Sequence, residues 1–327
     1  MRVIVHGGAG DAPDDPDARR ATLDDAAETG ADESDPVDAV EAAVRVLESD
    51  ERFNAGVGSA VQSDGIIRTD AGLMTSDRAA GAAASMPGVE HAVTVARHVM
   101  EETPHVLLNG VHAVDFAADV GVETEVDLWT ADSRERWEGV DSHPEGTPSA
   151  HLDWIREHFG GHASPRDADR ASGERRGQRP RNDERGGTTR ERSDPRDHDT
   201  VGAVATDGGD FAAATSTGGR WFALAGRVGD VPQIGSGFYA APAGAASATG
   251  AGEAIAKTTL TRRAVRYLED GDDAETAAEH AVDDLAELTG EGAGVIVLDR
   301  DGNVGEAYNT EAMQTAWSLR DHGAGER

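Results

Sequence analysis

The stretch His198-Asp199-Thr200-Val201-Gly202 carries the main clue to this chain. A Val-, Ala- and Gly-rich run over residues 200–206 predicts a buried strand that begins with a threonine. Hydrolysis of the Asp199–Thr200 bond would leave Thr200 with a free α-amine beside its hydroxyl, and so with its own general base. An Asp-Thr pair at a strand edge is more often ordinary strand-entry chemistry, so the rest of the sequence has to decide.

The segment in front of this strand has a composition that disfavours folding. Between Arg166 and Asp197 there are ten arginines and eight acids, with hardly an apolar residue among them. This composition predicts a disordered linker at about 160–198. The arginines also raise the idea of nucleic-acid binding, but the interleaved acids nearly cancel their charge. We therefore expect the linker to divide two halves of one domain.

The charge balance is extreme. Sixty-two acids oppose thirty bases among 327 residues, for a formal net charge of −32, and Lys257 is the only lysine. Acidic residues replace lysine across amphipathic helices, which indicates a folded protein from a high-salt cytoplasm where salt screens the self-repulsion. Such a surface repels nucleic acid and anionic membranes, so we expect neither as a partner.

Composition also bears on the compartment. The chain has no cysteine, so disulfides, cysteine nucleophiles and thiolate metal sites are excluded. No apolar run is long enough to span a membrane, and the first residues lack the pattern of a signal peptide. We expect a cytoplasmic protein.

Periodicity predicts strands in both halves, with helices following them. Expected strands cover 3–5, 65–69, 79–85, 200–206, 211–215, 294–299 and 304–308, and expected helices cover a segment beginning at Pro36 and residues 91–101, 111–120, 150–158, 252–269 and 273–289. Consecutive strands favour antiparallel pairing, with helices covering the sheets. The pattern predicts a layered α/β protein.

Two glycine-bearing segments are candidate anion sites. His6-Gly7-Gly8-Ala9-Gly10 follows a strand, where a tight turn explains it equally well. Thr249-Gly250-Ala251-Gly252-Glu253 is expected to open a long helix, whose free N–H groups favour a carboxylate or an oxyanion. The alternative for this second segment is simple helix capping, with Thr249 or a neighbour as the N-cap.

Arg227 and Asp230 are the candidate substrate clamp. They stand three residues apart in the glycine-rich segment 226–230. Arginine holds a carboxylate in two parallel hydrogen bonds, and aspartate holds an ammonium group, so together they suit the α-amino-acid end of a substrate. The alternative is that they pair with each other.

Competing chemistries lack their motifs. There is no Gly-x-Ser-x-Gly elbow and no His-Glu-x-x-His. His98, His105 and His112 recur every seven residues, but Pro104 interrupts a helix between them, so solvated or capping histidines are favoured over a zinc site.

Taken in order, the segments resemble the plant-type asparaginase and isoaspartyl peptidase family of N-terminal nucleophile hydrolases. The resemblance covers nearly the whole chain apart from the linker. It rests on His6-Gly-Gly-Ala-Gly10, Phe53-Asn-Ala-Gly-Val-Gly58, Asp199-Thr-Val-Gly-Ala-Val204, Ala214-Thr-Ser-Thr-Gly-Gly219, Gly226-Arg-Val-Gly-Asp230, Thr249-Gly-Ala-Gly-Glu253 and Asn309-Thr-Glu-Ala-Met313.

The resemblance implies a fold and a processing step. It implies a four-layer αββα sandwich, made as a precursor and cleaved at the Asp199–Thr200 bond into an α subunit (1–199) and a β subunit (200–327). The mature enzyme would be a homodimer of cleaved αβ units. Its substrate would be a small molecule, either asparagine, which is cleaved at its side-chain amide, or a β-aspartyl dipeptide. L-Aspartate would be released.

The resemblance also implies roles for residues of the site. Thr200 would be the nucleophile, and Arg227 and Asp230 would bind the substrate carboxylate and α-ammonium. Thr249 and Gly250 would form the oxyanion hole, and Thr217 would place its hydroxyl beside the nucleophile. Gly252 would line the pocket, and Asn54 would position the cleavage site.

No cofactor is implied for the chemistry, but a structural sodium ion is. The segment 47–57 resembles a loop that binds sodium through backbone carbonyls. The carbonyls implied here are those of Leu47, Glu48, Asp50, Phe53, Ala55 and Val57.

Departures from the family pattern leave alternatives open. Residues 220–224 are bulky where relatives have small and polar ones, which predicts bulk near the pocket. Many relatives have glycine at the position of Asp199. An aspartate there resembles the glycosylasparaginase branch, so an amidase of that kind is one alternative. An uncleaved, inactive scaffold or binding protein of the same fold is another.

Overall fold

A computed structural model describes residues 1–13, 15–159 and 200–321 of the chain. The predicted linker and Asp199 lie outside these described residues.

Eleven strands and nine helices form within the described residues. The strands are β1 (Arg2–Gly10), β2 (Arg68–Thr75), β3 (Ala80–Pro87), β4 (Leu108–Asn109), β5 (Val201–Thr206), β6 (Phe211–Thr217), β7 (Phe238–Ala241), β8 (Gly244–Gly250), β9 (Ala293–Asp299), β10 (Val304–Tyr308) and β11 (Ala312–Leu319). The helices are α1 (Pro16–Ala31), α2 (Pro36–Glu48), α3 (Ala92–Glu102), α4 (Gly110–Asp119), α5 (Ala131–Glu138), α6 (Pro148–Phe159), α7 (Gly252–Thr258), α8 (Leu260–Asp270) and α9 (Ala274–Thr289).

The strands form two sheets. The larger has the order β11-β1-β5-β6-β2-β3-β4 and the smaller the order β10-β9-β8-β7. Neighbouring strands pair antiparallel, as expected, except for β3 and β4, which are parallel. Strand β5, which follows Thr200, therefore lies in the interior of the larger sheet.

The two sheets face each other between helix layers. Val3 and Val5 of β1 pack with Leu23 of α1 and Val40 of α2, whereas Ile4 points the other way, into the core that includes Phe238 of β7. Because side chains alternate along a strand, one strand supplies both cores. Helices α8 and α9 cover the far face of the smaller sheet. The four-layer αββα expectation is confirmed.

Local signals account for several helix ends. Asp35 accepts hydrogen bonds from the N–H groups of Val37 and Asp38, and Pro36 occupies the first turn of α2, where its missing N–H is not needed. Asp273 caps α9 through the Thr276 N–H. These ends lie where the capping residues predict them.

Small residues let the two sheets approach closely. A Cβ on Gly72 would overlap the Phe238 ring, and a Cβ on Gly202 would overlap Ser247 Oγ. The Ala- and Gly-rich strands β5, β6 and β8 thus bring polar groups from both sheets within hydrogen-bonding distance.

Some element predictions were wrong. His6 to Gly10 is not a turn: β1 continues to Gly10, with an irregular register between His6 and Ala9. The strand expected at 65–69 begins at Arg68. The helix expected at 252–269 is broken at Thr259, whose φ of 51° is left-handed.

Strands β7, β8 and β11 and helix α5 were not predicted. β8 reads Gly-Ala-Ala-Ser-Ala-Thr-Gly, which has low intrinsic strand propensity and is a strand because β7 and β9 pair with it. Among the described residues, no helix combines the length and apolarity needed to cross a membrane.

Candidate active site

Thr200 lies at the head of β5 with its hydroxyl against Thr217. The side chain is buried, and Thr200 Oγ1 donates to Thr217 Oγ1 at 3.2 Å. Thr217 ends the neighbouring strand β6 and also accepts the Gly219 N–H at 3.1 Å. The structure therefore brings together the two threonines that the sequence predicted as partners.

A buried imidazole lies beneath Thr200. His6 Nδ1 is 3.1 Å from the Thr200 carbonyl oxygen, and His6 Nε2 is 2.8 Å from Ser247 Oγ. Burial lowers the pKa of His6 to about 3, although the bond to the Thr200 carbonyl acts in the opposite direction. Since a carbonyl only accepts, the neutral ring carries its proton on Nδ1 and accepts from Ser247 at Nε2.

This network reaches the second sheet. Ser247 Oγ lies 2.7 Å from Thr215 Oγ1, which is also 2.8 Å from the Gly237 carbonyl oxygen. A Cβ on Gly202 would lie 2.5 Å from His6 Nε2, so glycine is the only residue that leaves the network its space. Sequence reasoning missed His6 and Ser247 as site residues; polar side chains on buried strands were the available signal.

Thr249 and Gly250 belong to a strand end and not to a helix start. Both lie in β8, and helix α7 begins at Gly252 with Ala251 as its N-cap. Of the capping alternatives, Thr249 is excluded because pairing with β9 continues through Gly250, and its neighbour Ala251 occupies the N-cap position.

The end of β8 that carries Thr249 lies over the end of β5 that carries Thr200. Gly294 pairs with Thr249 between β8 and β9, and a Cβ on Gly294 would lie 3.0 Å from Ala9 Cβ. Ala9 is in the last part of β1, which runs antiparallel to β5 and so ends beside the start of β5. Thr249 and Gly250 therefore share an edge of the sandwich with Thr200.

The candidate clamp is formed, but Arg227 does not pair with Asp230. Its Nε and Nη2 donate to Glu253 Oε1 and Oε2 at 2.9 and 3.0 Å. Burial alone would raise the pKa of Glu253, but these bonds from Arg227 lower it to about 2. A Cβ on Gly252 would lie 2.8 Å from Asp230 Oδ1 and 2.9 Å from Arg227 Nη2. Gly252 thus borders both clamp residues.

Two buried carboxyl groups adjoin Arg227. Burial raises the pKa of Asp230 to about 7, against its own backbone N–H and Arg227, which lower it. Burial likewise raises the pKa of Asp70 to about 6, against the Ser85 N–H and Arg227. Among the described residues Asp230 Oδ2 is buried without a hydrogen-bond partner. A buried acceptor of this kind suits an incoming cation.

Asp70 was not predicted as a site residue. It pairs in register with Thr217 between β2 and β6, so the two side chains project from the same face of the sheet. Its neighbour Ser85 donates its N–H to Asp70 Oδ1 at 2.6 Å. Residues 68–76 resemble the corresponding family segment only loosely, and this weak resemblance was the available signal for Asp70.

Asn54 joins the loop before β2 to the loop after β6. Asn54 Nδ2 donates to the Gly219 carbonyl at 2.6 Å, and Asn54 Oδ1 accepts the Ala60 N–H at 2.8 Å. The Asn54 carbonyl accepts from Gly218 at 2.7 Å. Asn54 therefore holds the chain directly after Thr217.

The segment 47–57 curls back on itself in a way that suits a carbonyl cradle. Val57 N–H donates to the Glu48 carbonyl at 2.8 Å, and Phe53 N–H donates to the Asp50 carbonyl at 3.1 Å. A carbonyl oxygen has two lone pairs, so each can still offer one to a cation. Gly56, at φ 54°, packs against the Glu48 carbonyl where a side chain would collide. The Glu48 and Asp50 carbonyls thus keep a lone pair for the sodium ion that the resemblance implies, and the ion itself stays a prediction.

The bulky segment 220–224 directly precedes the clamp, and the Leu224 carbonyl accepts the Arg227 N–H at 2.8 Å. Trp221 and Phe222 are buried in a third hydrophobic cluster with Trp154 of α6 and Leu128. The Arg136 guanidinium lies 4.1 Å from the centroid of the Trp221 ring. The effect of this bulk on the size of the substrate stays a prediction.

Two facing sheets between helix layers, with a buried threonine heading a central strand, define an N-terminal nucleophile hydrolase fold. The family model described as asparaginase matches residues 1–324. The chain belongs to this asparaginase family, a family of hydrolases.

Curated relatives match along the same length. A plant-type L-asparaginase of Pyrococcus abyssi is 36% identical over 326 residues, covering 97% of this chain and 96% of the relative. One of Pyrobaculum calidifontis is 37% identical, covering 96% of each chain. An isoaspartyl peptidase/L-asparaginase of Rattus norvegicus is 36% identical over 285 residues, covering 86% of this chain and 73% of the relative.

Proposed function

We propose that the chain is a self-processing amidohydrolase that cleaves the side-chain amide of L-asparagine, β-aspartyl dipeptides, or both, and releases L-aspartate. One observation carries the proposal: Thr200 Oγ1 bonds Thr217 Oγ1 at 3.2 Å at the head of β5, on the sandwich edge that also holds Thr249. Relatives named plant-type L-asparaginase and isoaspartyl peptidase/L-asparaginase support the substrate class.

The first reaction is cleavage of the chain itself. Thr200 Oγ1 attacks the carbonyl carbon of Asp199, and the acyl group moves from the Thr200 nitrogen to its oxygen, forming an ester. One water molecule then hydrolyses the ester. Asp199 keeps a carboxylate, and Thr200 gains a free α-amine. His6, which bonds the Thr200 carbonyl at Nδ1, holds the backbone of the nucleophile through this step.

The second reaction is turnover. The freed α-amine has a reference pKa of about 7.7–8.0 and so accepts the hydroxyl proton near neutral pH. Thr200 Oγ1 attacks the amide carbonyl of the substrate, and the oxyanion is stabilised by Thr249 and Gly250. Ammonia or the amine of the second residue leaves with the proton. Water hydrolyses the acyl-enzyme and releases L-aspartate.

The clamp gives the substrate its orientation. Arg227 binds the α-carboxylate and Asp230 binds the α-ammonium, and Gly252 keeps the space between them open. Glu253 already holds two N–H groups of Arg227, so the substrate carboxylate must use the remaining donors or displace Glu253. Asp230 Oδ2, buried without a partner among the described residues, supports the ammonium site.

Further features belong to the same proposal. The mature protein is a homodimer of cleaved units, each made of residues 1–199 and 200–327, in a high-salt cytoplasm. Asn54 steadies the chain after Thr217 for cleavage. The carbonyls of the 47–57 loop hold a structural sodium ion, whose positive charge would draw the loop together.

Intact-mass spectrometry after incubation in molar salt tests the proposal. We expect the 34.1 kDa chain to give two fragments divided at Thr200, and Thr200→Ala to stay intact, with Thr289→Ala as a remote control that cleaves normally. A single uncleaved species for wild type and Thr200→Ala alike would mean an inactive scaffold.

Product assays on the cleaved protein then identify the substrate. L-Aspartate released from asparagine or a β-aspartyl dipeptide supports the proposal. Turnover of N4-glycosylated asparagine alone would favour the glycosylasparaginase-like alternative, which Asp199 before the nucleophile suggests.

A further inference from the structure

The segment 222–227, here the clamp loop, carries Arg227 without any regular secondary structure of its own. It lies between β6 and β7, and Phe222 adopts a left-handed φ of 56° while Gly226 has φ 84°. Glycine adopts such a φ freely, but at Phe222 it persists only where the surroundings hold it. Something outside the loop must therefore fix the position of Arg227.

Backbone hydrogen bonds join the clamp loop to residues 61–63, here the strap. Phe222 N–H donates to the Val61 carbonyl, and Ser63 N–H donates to the Ala223 carbonyl, both at 2.8 Å. These two bonds hold the first half of the loop.

Side chains of the strap hold the second half. Gln62 Oε1 accepts the Gly226 N–H at 2.8 Å, and Gln62 Nε2 donates to the Arg227 carbonyl at 3.1 Å. Ser63 Oγ accepts the Ala225 N–H at 3.1 Å. Both side chains are buried, so water cannot replace these bonds at low cost.

Helix α6 supplies the next contact. His151 Nδ1 lies 2.9 Å from Ser63 Oγ, and both groups are buried. The Ala225 N–H can only donate, so Ser63 Oγ accepts from it and has a second hydrogen bond left for His151 Nδ1. His151 thereby holds the Ser63 side chain that anchors the clamp loop.

The same helix contacts the clamp loop at a second point, independent of His151. The ring of Trp154 packs edge-on against Phe222 at 5.8 Å, and Phe159 stacks on Phe222 at 4.9 Å. Removing the imidazole alone should therefore leave α6 packed on the loop.

We propose that His151 is a positioning residue for Arg227: through Ser63 it holds the clamp loop in the conformation that binds the substrate carboxylate. This inference rests on the proposed function, because it assumes that Arg227 binds that carboxylate. His151 acts on substrate binding and takes no part in the chemistry of Thr200.

The test compares His151→Leu, which removes the hydrogen-bond partner of Ser63, with His151→Asn, whose side-chain amide can donate or accept in place of Nδ1. For His151→Leu we expect KM to rise about three- to tenfold, the effect of one buried hydrogen bond. We expect kcat and the rate of self-cleavage to stay within about twofold, and His151→Asn to restore KM.

A matched control and a double variant guard against a general folding effect. His158→Leu alters another histidine of α6, whose Nδ1 contacts the Trp154 carbonyl at 3.0 Å, and should leave KM unchanged. Adding His151→Leu to Ser63→Ala should change KM no further, because both act through one hydroxyl. A fall in kcat equal to the rise in KM, or additive effects, would overturn the proposal.

Hydrogen exchange separates this inference from the proposed function. In His151→Leu the amides of Ala225 and Gly226 should exchange faster, and in His158→Leu they should not, whether or not the protein hydrolyses asparagine. Unchanged exchange in His151→Leu would refute the positioning role. If the two variants show this exchange pattern but the wild-type protein cleaves no substrate, the proposed function is refuted and the positioning role of His151 is not.

Discussion

Asp230 and Asp70 are two buried carboxyl groups close to Arg227. Each carboxyl group lies in a site that disfavours its charge, and Arg227 nearby offsets only part of that penalty. In the proposed function, the α-ammonium of the substrate supplies the further positive charge that Arg227 alone does not provide.

This electrostatic arrangement predicts the pH dependence of substrate binding. Below its pKa of about 7 Asp230 is neutral and cannot pair with an ammonium group. We expect KM for the amino-acid substrate to fall as pH rises through about 7, measured by steady-state kinetics in constant salt. Asp230→Asn should raise KM at least about tenfold and remove this pH dependence. A KM for the wild type that is constant between pH 6 and 8 would contradict the ammonium site.

Stability has the opposite pH dependence from these two groups. In the unfolded chain both carboxyl groups ionise near the ordinary aspartate pKa of 3.8, but in the folded chain they hold protons to about 6 and 7. Their contribution to the free energy of unfolding is therefore fully present below about pH 4 and falls as pH rises from about 4 to 7.

At the scale of elements, strand β5 depends on residues that have almost no side chain. Gly202 of β5 lies against His6 of β1 and Ser247 of β8. Only a glycine at this position leaves room for the hydrogen bond between those two side chains. The arrangement of the nucleophile thus depends on packing two residues further along its strand.

We expect Gly202→Ala to lower the free energy of unfolding by about 1–3 kcal/mol, because the new methyl group overpacks the site. Self-cleavage at Thr200 should also slow, since His6 must move. Chemical denaturation and timed mass spectrometry measure the two effects. Gly209→Ala in the β5–β6 turn, where a Cβ meets only Asp207 Oδ1 at 3.5 Å, is the matched control and should behave like wild type.

The 47–57 loop gives a second prediction at this scale. Replacing NaCl by KCl at equal concentration should lower Tm by about 2–4 °C, for a sodium concentration of about ten times the Kd of the site. Gly56→Ala, which places a methyl group against the Glu48 carbonyl, should remove the difference between the two salts. Equal Tm values for the wild type in both salts would exclude a selective sodium site.

For the whole molecule, the dominant quantity is the net charge of −32. The Debye length falls from about 10 Å at 0.1 M salt to about 3 Å at 1 M, so self-repulsion between surface acids weakens as salt is added. Local ion pairs such as that of Arg263 with Asp284, at 2.7 Å, are too few to neutralise this surface.

We therefore expect Tm to rise by several degrees between 0.1 M and 2 M KCl. Asp283→Asn with Glu287→Gln, which neutralises two exposed acids four residues apart on α9, should reduce that slope. Asp284→Asn, which breaks the bonds to Arg263 and Tyr267, should instead lower Tm at every salt concentration. A Tm independent of KCl would remove the high-salt interpretation.

The sequence located several parts of this arrangement correctly. The resemblance implied that Thr217 lies beside Thr200, and the two are hydrogen-bonded. The helix expected to begin at Pro36 does begin there. These predictions rest on local chemistry and on motif order. Glu253 as the partner of Arg227, and Asp70 beside Thr217, were not found, because each contact joins segments far apart in the chain.

By itself the sequence determined the class of fold, the candidate nucleophile and the residue types of the clamp, because periodicity, caps and ordered motifs are local properties. Only the tertiary structure decided that Thr249 and Gly250 end a strand, that His6 lies beneath Thr200, and that α6 reaches the clamp loop through His151. The physical reason is that strand pairing and sheet packing are contacts between distant segments, and an Ala- and Gly-rich strand such as β8 has little local preference that would reveal them.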